Sequence, residues 1–244
     1  MRNVQIIIEY DGSAYCGWQR QLNGISVQQK IEEALEAIVG EKLSIIGAGR
    51  TDAGVHALGQ CANFFTVSKI PIEKFSDALN SALPQDIRIV EALERDSQFH
   101  SRFGAKQKTY RYQIYNRRVL SPFYLRRAYH YAAYIDLALM QQAATHLVGR
   151  HDFSAMSAAG SQCRSFEREI YELTVEKSGE LIVIEVAGNG FLYNMVRIIA
   201  GTLFYCGIGK INPNDIGEIL NKKDRTLSGP TLPPWGLYLK KIIY

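Results

Sequence analysis

The residues best suited to chemistry lie in one glycine-rich segment, residues 47–60, with the sequence GAGRTDAGVHALGQ. The segment carries one carboxylate, one guanidinium and one imidazole, on Asp52, Arg50 and His56. Its glycines allow sharp turns and a close approach of the backbone to a ligand. Strand-like apolar residues flank it, so we expect a loop at a sheet edge, where functional side chains are commonly held. An Asp beside Gly also often hydrogen-bonds its own loop, and that structural role is the alternative.

The same segment begins like a dinucleotide-binding turn but does not complete it. Gly47 and Gly49 start a G-x-G-x-x-G pattern, and the sixth position is Asp52. A carboxylate there would point a negative charge at a pyrophosphate, so the pattern disfavours a dinucleotide site. The chain contains no G-x-x-x-x-G-K-[ST] sequence, so it also gives no support for a nucleotide-hydrolysing P-loop.

An arginine lies within the most apolar predicted helix, residues 191–205. This helix is apolar around its circumference, which predicts burial, and an unpaired buried guanidinium costs on the order of several kcal/mol. Asp52 is the acidic residue in an apolar, glycine-rich setting, so we predict an ion pair between Asp52 and Arg197. Such a partner keeps the carboxylate ionised at neutral pH. The alternative is that Arg197 extends along the helix to solvent.

The net charge of +4 is distributed unevenly along the chain. Residues 1–96 carry 9 basic and 13 acidic side chains, whereas residues 97–244 carry 19 and 11. The stretch between Asp96 and Asp136 has no acidic residue, seven tyrosines and eight basic residues: Arg102, Lys106, Lys108, Arg111, Arg117, Arg118, Arg126 and Arg127. Cations neutralise phosphates and aromatic faces accept unpaired bases, so this acid-free stretch predicts RNA as the partner, with a solvated surface as the alternative.

The composition is typical of a folded protein without a structural metal. Hydrophobic residues make up 47% and charged residues 21% of the chain, as in ordinary globular proteins. The four cysteines include no C-x-x-C pair and the five histidines have no metal-ligand spacing, so we expect a reduced protein that binds no metal. The N-terminus leads directly into a strand-like segment, and the longest apolar stretch, residues 191–208, contains an arginine. We therefore expect a cytoplasmic location without a membrane span.

The hydrophobic pattern of the first half predicts the element order β-α-β-β-α-β, with a capping box at Ser26 opening the first helix. This order is that of a split βαβ unit, an antiparallel sheet with helices on one face. The second half repeats the theme and closes with a strand over residues 237–243. The predicted fold class is α+β: two split βαβ (ferredoxin- or RRM-like) halves, residues 1–103 and 104–244, forming a largely antiparallel sheet with helices packed on it and a central catalytic cleft.

The glycine-rich segment resembles, nearly residue for residue, the active-site motif of the tRNA pseudouridine synthase A family. In that family the aspartate at the position of Asp52 is the catalytic residue. Residues 190–197, GFLYNMVR, are similar to a second motif of the family. Its arginine, here Arg197, contacts the catalytic aspartate, which agrees with the ion pair predicted from burial.

Two further segments resemble the family's base-binding motifs. Residues 108–112, KTYRY, are similar to the motif whose first tyrosine, here Tyr110, packs on the target base. Alternating tyrosines also arise from simple cross-strand packing, which is the structural alternative. Residues 235–239, WGLYL, match the segment whose leucine, here Leu237, lines the other side of the base pocket.

The resemblance implies an isomerase that converts uridine to pseudouridine in tRNA. The reaction neither oxidises nor hydrolyses its substrate, so it implies no cofactor and no metal. The implied substrates are uridines at positions 38, 39 and 40 of the anticodon stem-loop, and the implied assembly is a homodimer. Arg50 and His56 would contact phosphates or occupy the space left by an extruded base.

Two rival functions belong to other classes. A non-catalytic RNA-binding protein with RRM-like sheets would explain the basic and aromatic residues, but not a buried Arg with an Asp in a glycine loop, and the chain has no RNP1-like sequence. A carboxylate glycosidase would need a second acidic residue close to Asp52. The nearest candidates, Glu41 and Glu73, lie outside the loop in ordinary surface contexts.

Overall fold

The computed structural model describes residues 1–160 and 163–244 and divides them into two compact units. Unit 1 comprises residues 1–106 together with residues 238–244, and unit 2 comprises residues 107–237. The predicted halves met at residue 103, and residues 238–244 were expected in the second half. They join unit 1 because they form a strand that pairs with a strand of that unit.

The described residues form ten strands and five α-helices. The strands are β1 Arg2–Tyr10, β2 Ile46–Gly47, β3 His56–Thr66, β4 Ile87–Arg95, β5 Gln107–Tyr115, β6 Tyr129–His130, β7 Gly149–Asp152, β8 Glu167–Ser178, β9 Leu181–Gly188 and β10 Leu237–Ile243. The helices are α1 Val27–Val39, α2 Ile72–Ala82, α3 Leu137–Thr145, α4 Met195–Gly207 and α5 Ile216–Lys222. The predicted α+β class with mostly antiparallel strands is confirmed. Within the described part of the chain, no helix is long and apolar enough to cross a membrane.

Unit 1 has the predicted order β-α-β-β-α-β in β1 to β4. Strand β1 lies between β3 and β4 and is antiparallel to both, while β10 runs parallel to β3 and pairs with it at His56 and Ala57. Helix α1 begins where predicted, because Ser26 Oγ accepts the Gln29 N–H at 3.2 Å. The capping box is only half formed, since the Gln29 side chain donates forward to Glu33. Val27, Ile31 and other apolar residues of α1 are buried in the core.

Unit 2 is built around the antiparallel strands β5, β9, β8 and β7, in that spatial order. Helices α3 and α4 pack together in this unit. The predicted hairpin is confirmed as β8 and β9, which turn at Gly179 with φ +58°. Strand β7 was not predicted, because its four residues GRHD lack an apolar alternation. The residue that follows it, Phe153, is fully buried and belongs to the core.

Candidate active site

The Asp52 loop, residues 48–55, joins β2 to β3 within unit 1. It is shorter than the predicted loop, because β3 begins at His56 and its residues up to Gln60 pair with β1. A turn forms at the candidate catalytic residue, where the Val55 N–H donates to Asp52 O at 3.1 Å. Asp52 is half-buried and Arg50 is exposed. Both side chains therefore keep access to solvent at the surface of unit 1.

The Asp52 loop rests on residues 10–18, a segment that the sequence reasoning missed. The Trp18 N–H donates to Thr51 O at 3.0 Å, and the Tyr10 hydroxyl lies 2.7 Å from Thr51 Oγ1. Gly17 has φ +109°, and a Cβ there would lie 2.6 Å from Thr51 O and 3.2 Å from Asp52 C. Only glycine fits this backbone against the loop. The sequence feature that could have indicated this support is a pair of glycines and a tryptophan in residues 10–18, YDGSAYCGW, which lack helix or strand periodicity.

We expect Gly17→Ala to lower turnover by about 10-fold or more, because a Cβ pressed against backbone atoms must displace the Asp52 loop, and small displacements of catalytic groups are costly. The matched control is Gly40→Ala, which also has positive φ (+72°) but has no atom within 4 Å of the added Cβ. Both variants should lose some stability to backbone strain. Only Gly17→Ala should lose turnover beyond its loss of stability, measured by tritium release and thermal unfolding. Equal turnover in the two variants would argue against this support of the loop.

His56 lies inside unit 1, with a side chain that is only 3% exposed. Its Nδ1 accepts the Gly12 N–H at 3.1 Å and is 3.2 Å from Asp11 Oδ1, and its ring stacks on Tyr238 at 4.7 Å. The two Nδ1 contacts are alternatives, because a neutral Nδ1 accepts from Gly12 whereas a protonated one donates to Asp11. This burial favours a supporting role, since the predicted contact with phosphate needs an accessible ring.

In unit 2, Tyr110 lies on β5 with 9% of its surface exposed. Its ring meets the Phe191 ring edge-on, with centroids 5.2 Å apart. Tyr112 follows on the same strand and is fully buried, and its hydroxyl donates to Pro233 O at 2.8 Å. Burial raises the pKa of Tyr112 well above its ordinary value, so this phenol stays protonated. The Tyr112 ring also fills the space beside Gly236, which fixes the turn that precedes Leu237.

Arg197 lies in the first turn of α4 and is half-buried. The helix begins at Met195 instead of Phe191, because Asn194 adopts a left-handed conformation with φ 59°. Eleven of the thirteen helix residues are buried, and Arg197 is one of the two that are not, so the prediction of a helix buried on all sides was wrong at this position. Arg197 Nε donates to Leu232 O at 2.6 Å and Nη1 to Asn194 Oδ1 at 2.8 Å. These two acceptors fix the plane of the guanidinium, while its pairing with Asp52 stays a prediction.

Leu237 is the first residue of β10 and is 6% exposed. It follows a single 3₁₀ turn at Pro234–Gly236. The segment before this turn lies against α4, where Gly201 leaves room for the backbone carbonyl of Pro230. Unit 2 thus holds Tyr110, Arg197 and Leu237 on elements whose positions are set by close packing.

Only some residues of the acid-free stretch are exposed to solvent. Arg102, Lys106, Arg117, Arg118, Arg126 and Arg127 are exposed. Arg111 instead forms an ion pair with Glu185 at 2.7 Å, and the Tyr115 ring stacks on Tyr124 at 4.4 Å. Not every residue of the stretch is therefore available to a partner, because alternate residues of a strand must pack into the core. RNA as the partner of its exposed residues stays a prediction. In the part of the chain that is described, no cluster of three or more metal-ligating side chains is present.

The chain is similar to known proteins along its whole length. A family model described as tRNA pseudouridine synthase matches residues 6–104 and 143–244. Proteins named tRNA pseudouridine synthase A match over the full length of both chains, with 51% identity in Thermoanaerobacter sp. (strain X514), 49% in Caldicellulosiruptor saccharolyticus and 47% in Geotalea daltonii. The class is that of pseudouridine synthases, which are isomerases. The chain belongs to the tRNA pseudouridine synthase family, which confirms the resemblance.

The crystal structure of the archaeal box H/ACA sRNP Nop10-Cbf5 complex matches with a TM-score of 0.35 and 10% identity, covering 93% of this chain and 59% of that chain. A likeness this low carries no structural argument.

Proposed function

We propose that this chain isomerises uridine to pseudouridine at positions 38, 39 and 40 of the tRNA anticodon stem-loop, with Asp52 as the catalytic carboxylate. The observation that carries the proposal is the match along the whole chain, at 51% identity, to a protein named tRNA pseudouridine synthase A. The geometry of Asp52 also supports the proposal, because its side chain is half-buried on a turn that residues 10–18 support. Its loop contains no second carboxylate, which a glycosidase would need. The proposal invokes no cofactor, since the reaction neither oxidises nor hydrolyses the substrate.

The reaction breaks the bond from C1′ to N1 of uridine, rotates the uracil and forms a bond from C1′ to C5. N1 gains a proton and C5 loses one, so the atoms balance without an oxidant or a reductant. Three routes are open to the Asp52 carboxylate: attack on C1′, addition to C6 of the base, or removal of a ribose proton to give a glycal. Each route requires the ionised form of Asp52.

The other proposed site residues bind the substrate or position the groups that act on it. Arg197 is the cationic partner of Asp52, and its guanidinium plane is fixed by Leu232 and Asn194. Tyr110 stacks on the released uracil and holds it during rotation, with Leu237 on the other side of the base. Arg50, which is exposed, contacts a phosphate or fills the space left by the extruded uridine, and extrusion costs about a few kcal/mol. His56 supports the loop from within unit 1.

The family resemblance also supports a proposal for the partners and the location. We propose that the enzyme acts as a homodimer in which both subunits contact one tRNA, and that it works in the cytoplasm. Neighbouring targets in different tRNAs favour recognition of shape and backbone more than of base identity. Cys16, Cys61 and Cys206 are free thiols, as expected in a reducing compartment.

The function is tested by incubating the protein with tRNA that carries tritium at C5 of its uridines. Release of tritium to water is expected, and the modified positions should map to 38, 39 and 40. A protein that binds tRNA without releasing tritium would instead match the non-catalytic RNA-binding alternative. Release from positions outside the anticodon stem-loop would overturn the proposed substrate while leaving the reaction intact.

Tyr110→Phe separates stacking from proton transfer, because it keeps the aromatic face and removes the hydroxyl. If the phenol removes the C5 proton, we expect turnover to fall by about 100-fold or more while tRNA binding survives. Tyr131→Phe is the matched control, since Tyr131 is a half-buried tyrosine of unit 2 that packs edge-on against Phe204 at 4.8 Å. Turnover near the wild-type value in Tyr110→Phe, with loss in Tyr110→Ala, would leave stacking as the role of this residue.

A further inference from the structure

An exposed aromatic group lies on the segment between β4 and β5 in unit 1. Phe103 is 77% exposed. The His100 ring lies 4.4 Å from the Phe103 ring, and the Arg102 guanidinium carbon lies 5.5 Å from the Phe103 ring centroid. We call His100, Arg102 and Phe103 the aromatic platform. It combines a largely exposed aromatic ring with a guanidinium and an imidazole that lie against it.

The platform is held by its own backbone. His100 Nδ1 accepts the N–H groups of Arg102 at 3.1 Å and of Phe103 at 3.2 Å. The Gly104 N–H donates to His100 O at 2.9 Å, which closes the turn. The three side chains are therefore presented by a folded turn whose backbone donors are satisfied.

A buried polar network anchors the platform from below. Ser101, which lies between His100 and Arg102, is fully buried. Asn63 Oδ1 accepts from both the Ser101 N–H at 2.9 Å and the Ser101 hydroxyl at 2.7 Å. Asn63 Nδ2 donates to Asn3 Oδ1, and the Tyr244 hydroxyl donates to Ser101 O, each at 2.9 Å. A satisfied buried network rigidifies the residues that it joins. It therefore fixes the turn at Ser101, and this turn keeps the Phe103 side chain exposed to solvent.

We propose that the aromatic platform stacks an unpaired base of the tRNA substrate, away from the reacting uridine, while Arg102 contacts an adjacent phosphate. This inference rests on the proposed function. Aromatic rings bind bases by stacking, and neighbouring cations neutralise the backbone. The charge of the segment fits RNA: Lys106 is exposed beside it, and no acidic residue follows in the chain until Asp136. The acid before it, Asp96, accepts the Gln98 N–H at 2.9 Å within its own turn.

The test compares four variants with wild type by tRNA binding and by KM. Phe103→Ala and Phe103→Leu should each raise the Kd and the KM for tRNA by about 10-fold, because leucine keeps apolar area but lacks a π-face. Phe103→Trp should bind at least as tightly as wild type. Tyr171→Ala is the matched control, since Tyr171 is a 45% exposed aromatic residue on β8 beside Glu172. It should keep the wild-type Kd.

Two further measurements report on stacking and on the phosphate contact. The indole added by Phe103→Trp should be quenched by tRNA beyond the quenching seen in wild type, which a structural role would not cause. Arg102→Gln should reduce the slope of log Kd against log salt concentration by about one. Thermal unfolding of each variant checks that it is folded, and exposed positions tolerate such changes well.

A wild-type Kd in Phe103→Ala, or an added indole without quenching by tRNA, would overturn the inference. A change in sedimentation of Phe103→Ala without a change in tRNA affinity would also overturn it, because the platform would then contact a second copy of the chain. The proposed function fails separately: wild-type protein that releases no tritium, yet loses tRNA affinity in Phe103→Ala, would remove the reaction and keep the platform.

Discussion

Asp52→Asn is expected to abolish tritium release, with turnover lower by about 10⁴-fold or more, while tRNA still binds. The change keeps the size and the hydrogen-bonding capacity of the side chain but removes the charge and the nucleophile. Each of the three routes open to the carboxylate is closed to an amide. The Kd for tRNA should stay within about threefold of wild type or fall, since a negative charge has been removed near a polyanion.

The control for Asp52→Asn is Asp77→Asn, which removes the same charge from an exposed position on α2 in the same unit. It should keep wild-type turnover and binding. Turnover near the wild-type rate in Asp52→Asn would remove Asp52 from the chemistry. Loss of both binding and turnover would instead assign it to the tRNA contact.

Arg197→Met is expected to produce the second largest loss. Removing the cationic partner should raise the pKa of the Asp52 carboxyl, because an opposite charge favours the ionised form. A larger fraction of Asp52 is then protonated at low pH, so turnover should fall most there and recover in part as the pH rises. Arg197→Lys should be a partial substitute, because a point charge cannot donate to Leu232 O and Asn194 Oδ1 with the geometry of a guanidinium. A pH profile of kcat for the three proteins measures this effect.

Stability provides an independent test of the proposed pair. Arg197→Met alone leaves a carboxylate without its partner, whereas Asp52→Asn with Arg197→Met removes both charges and should cost less than the sum of the single changes. The free energies of unfolding therefore show coupling if the two side chains meet. Arg2 and Glu94 form an ion pair at 2.9 Å in unit 1. A double-mutant cycle on these two residues gives the coupling free energy of an observed ion pair, with which the value for Asp52 and Arg197 can be compared. Additive effects for Asp52 and Arg197 would place the two groups apart.

The sequence predicted the elements of the fold better than it predicted what supports the site. Local periodicity was sufficient for α1 and for the hairpin of β8 and β9, because their signals lie within a few neighbouring residues. The support of the Asp52 loop by Gly17 and Trp18 depends on contacts between segments more than thirty residues apart. No local pattern encodes such a contact.

The candidate site was recognised by motif, and its details were set by packing. Tyr110 and Leu237 came from the resemblance alone. Asp52 and Arg197 were also indicated by the residues themselves, Asp52 by its glycine-rich loop and Arg197 by its position in an apolar helix. The helix start was missed because the left-handed Asn194 breaks an otherwise apolar run. His56 was placed in a loop because glycines surround it, yet strand pairing with β1 continues through its neighbours and buries its ring.

The parallel pairing of β10 with β3 makes unit 1 discontinuous in the chain, which determines when it can be completed during synthesis. The ribosome produces the Asp52 loop early, but Tyr238 pairs with His56 only after all of unit 2 has been made. Until then β3 has no strand partner beside His56 and Ala57 on the side opposite β1, because β2 covers that side only at Ala62 and Asn63. Closing so long a loop is slow because its entropy must be overcome first. A nascent chain that ends at residue 106 therefore contains the candidate catalytic residue without the strand that completes its unit.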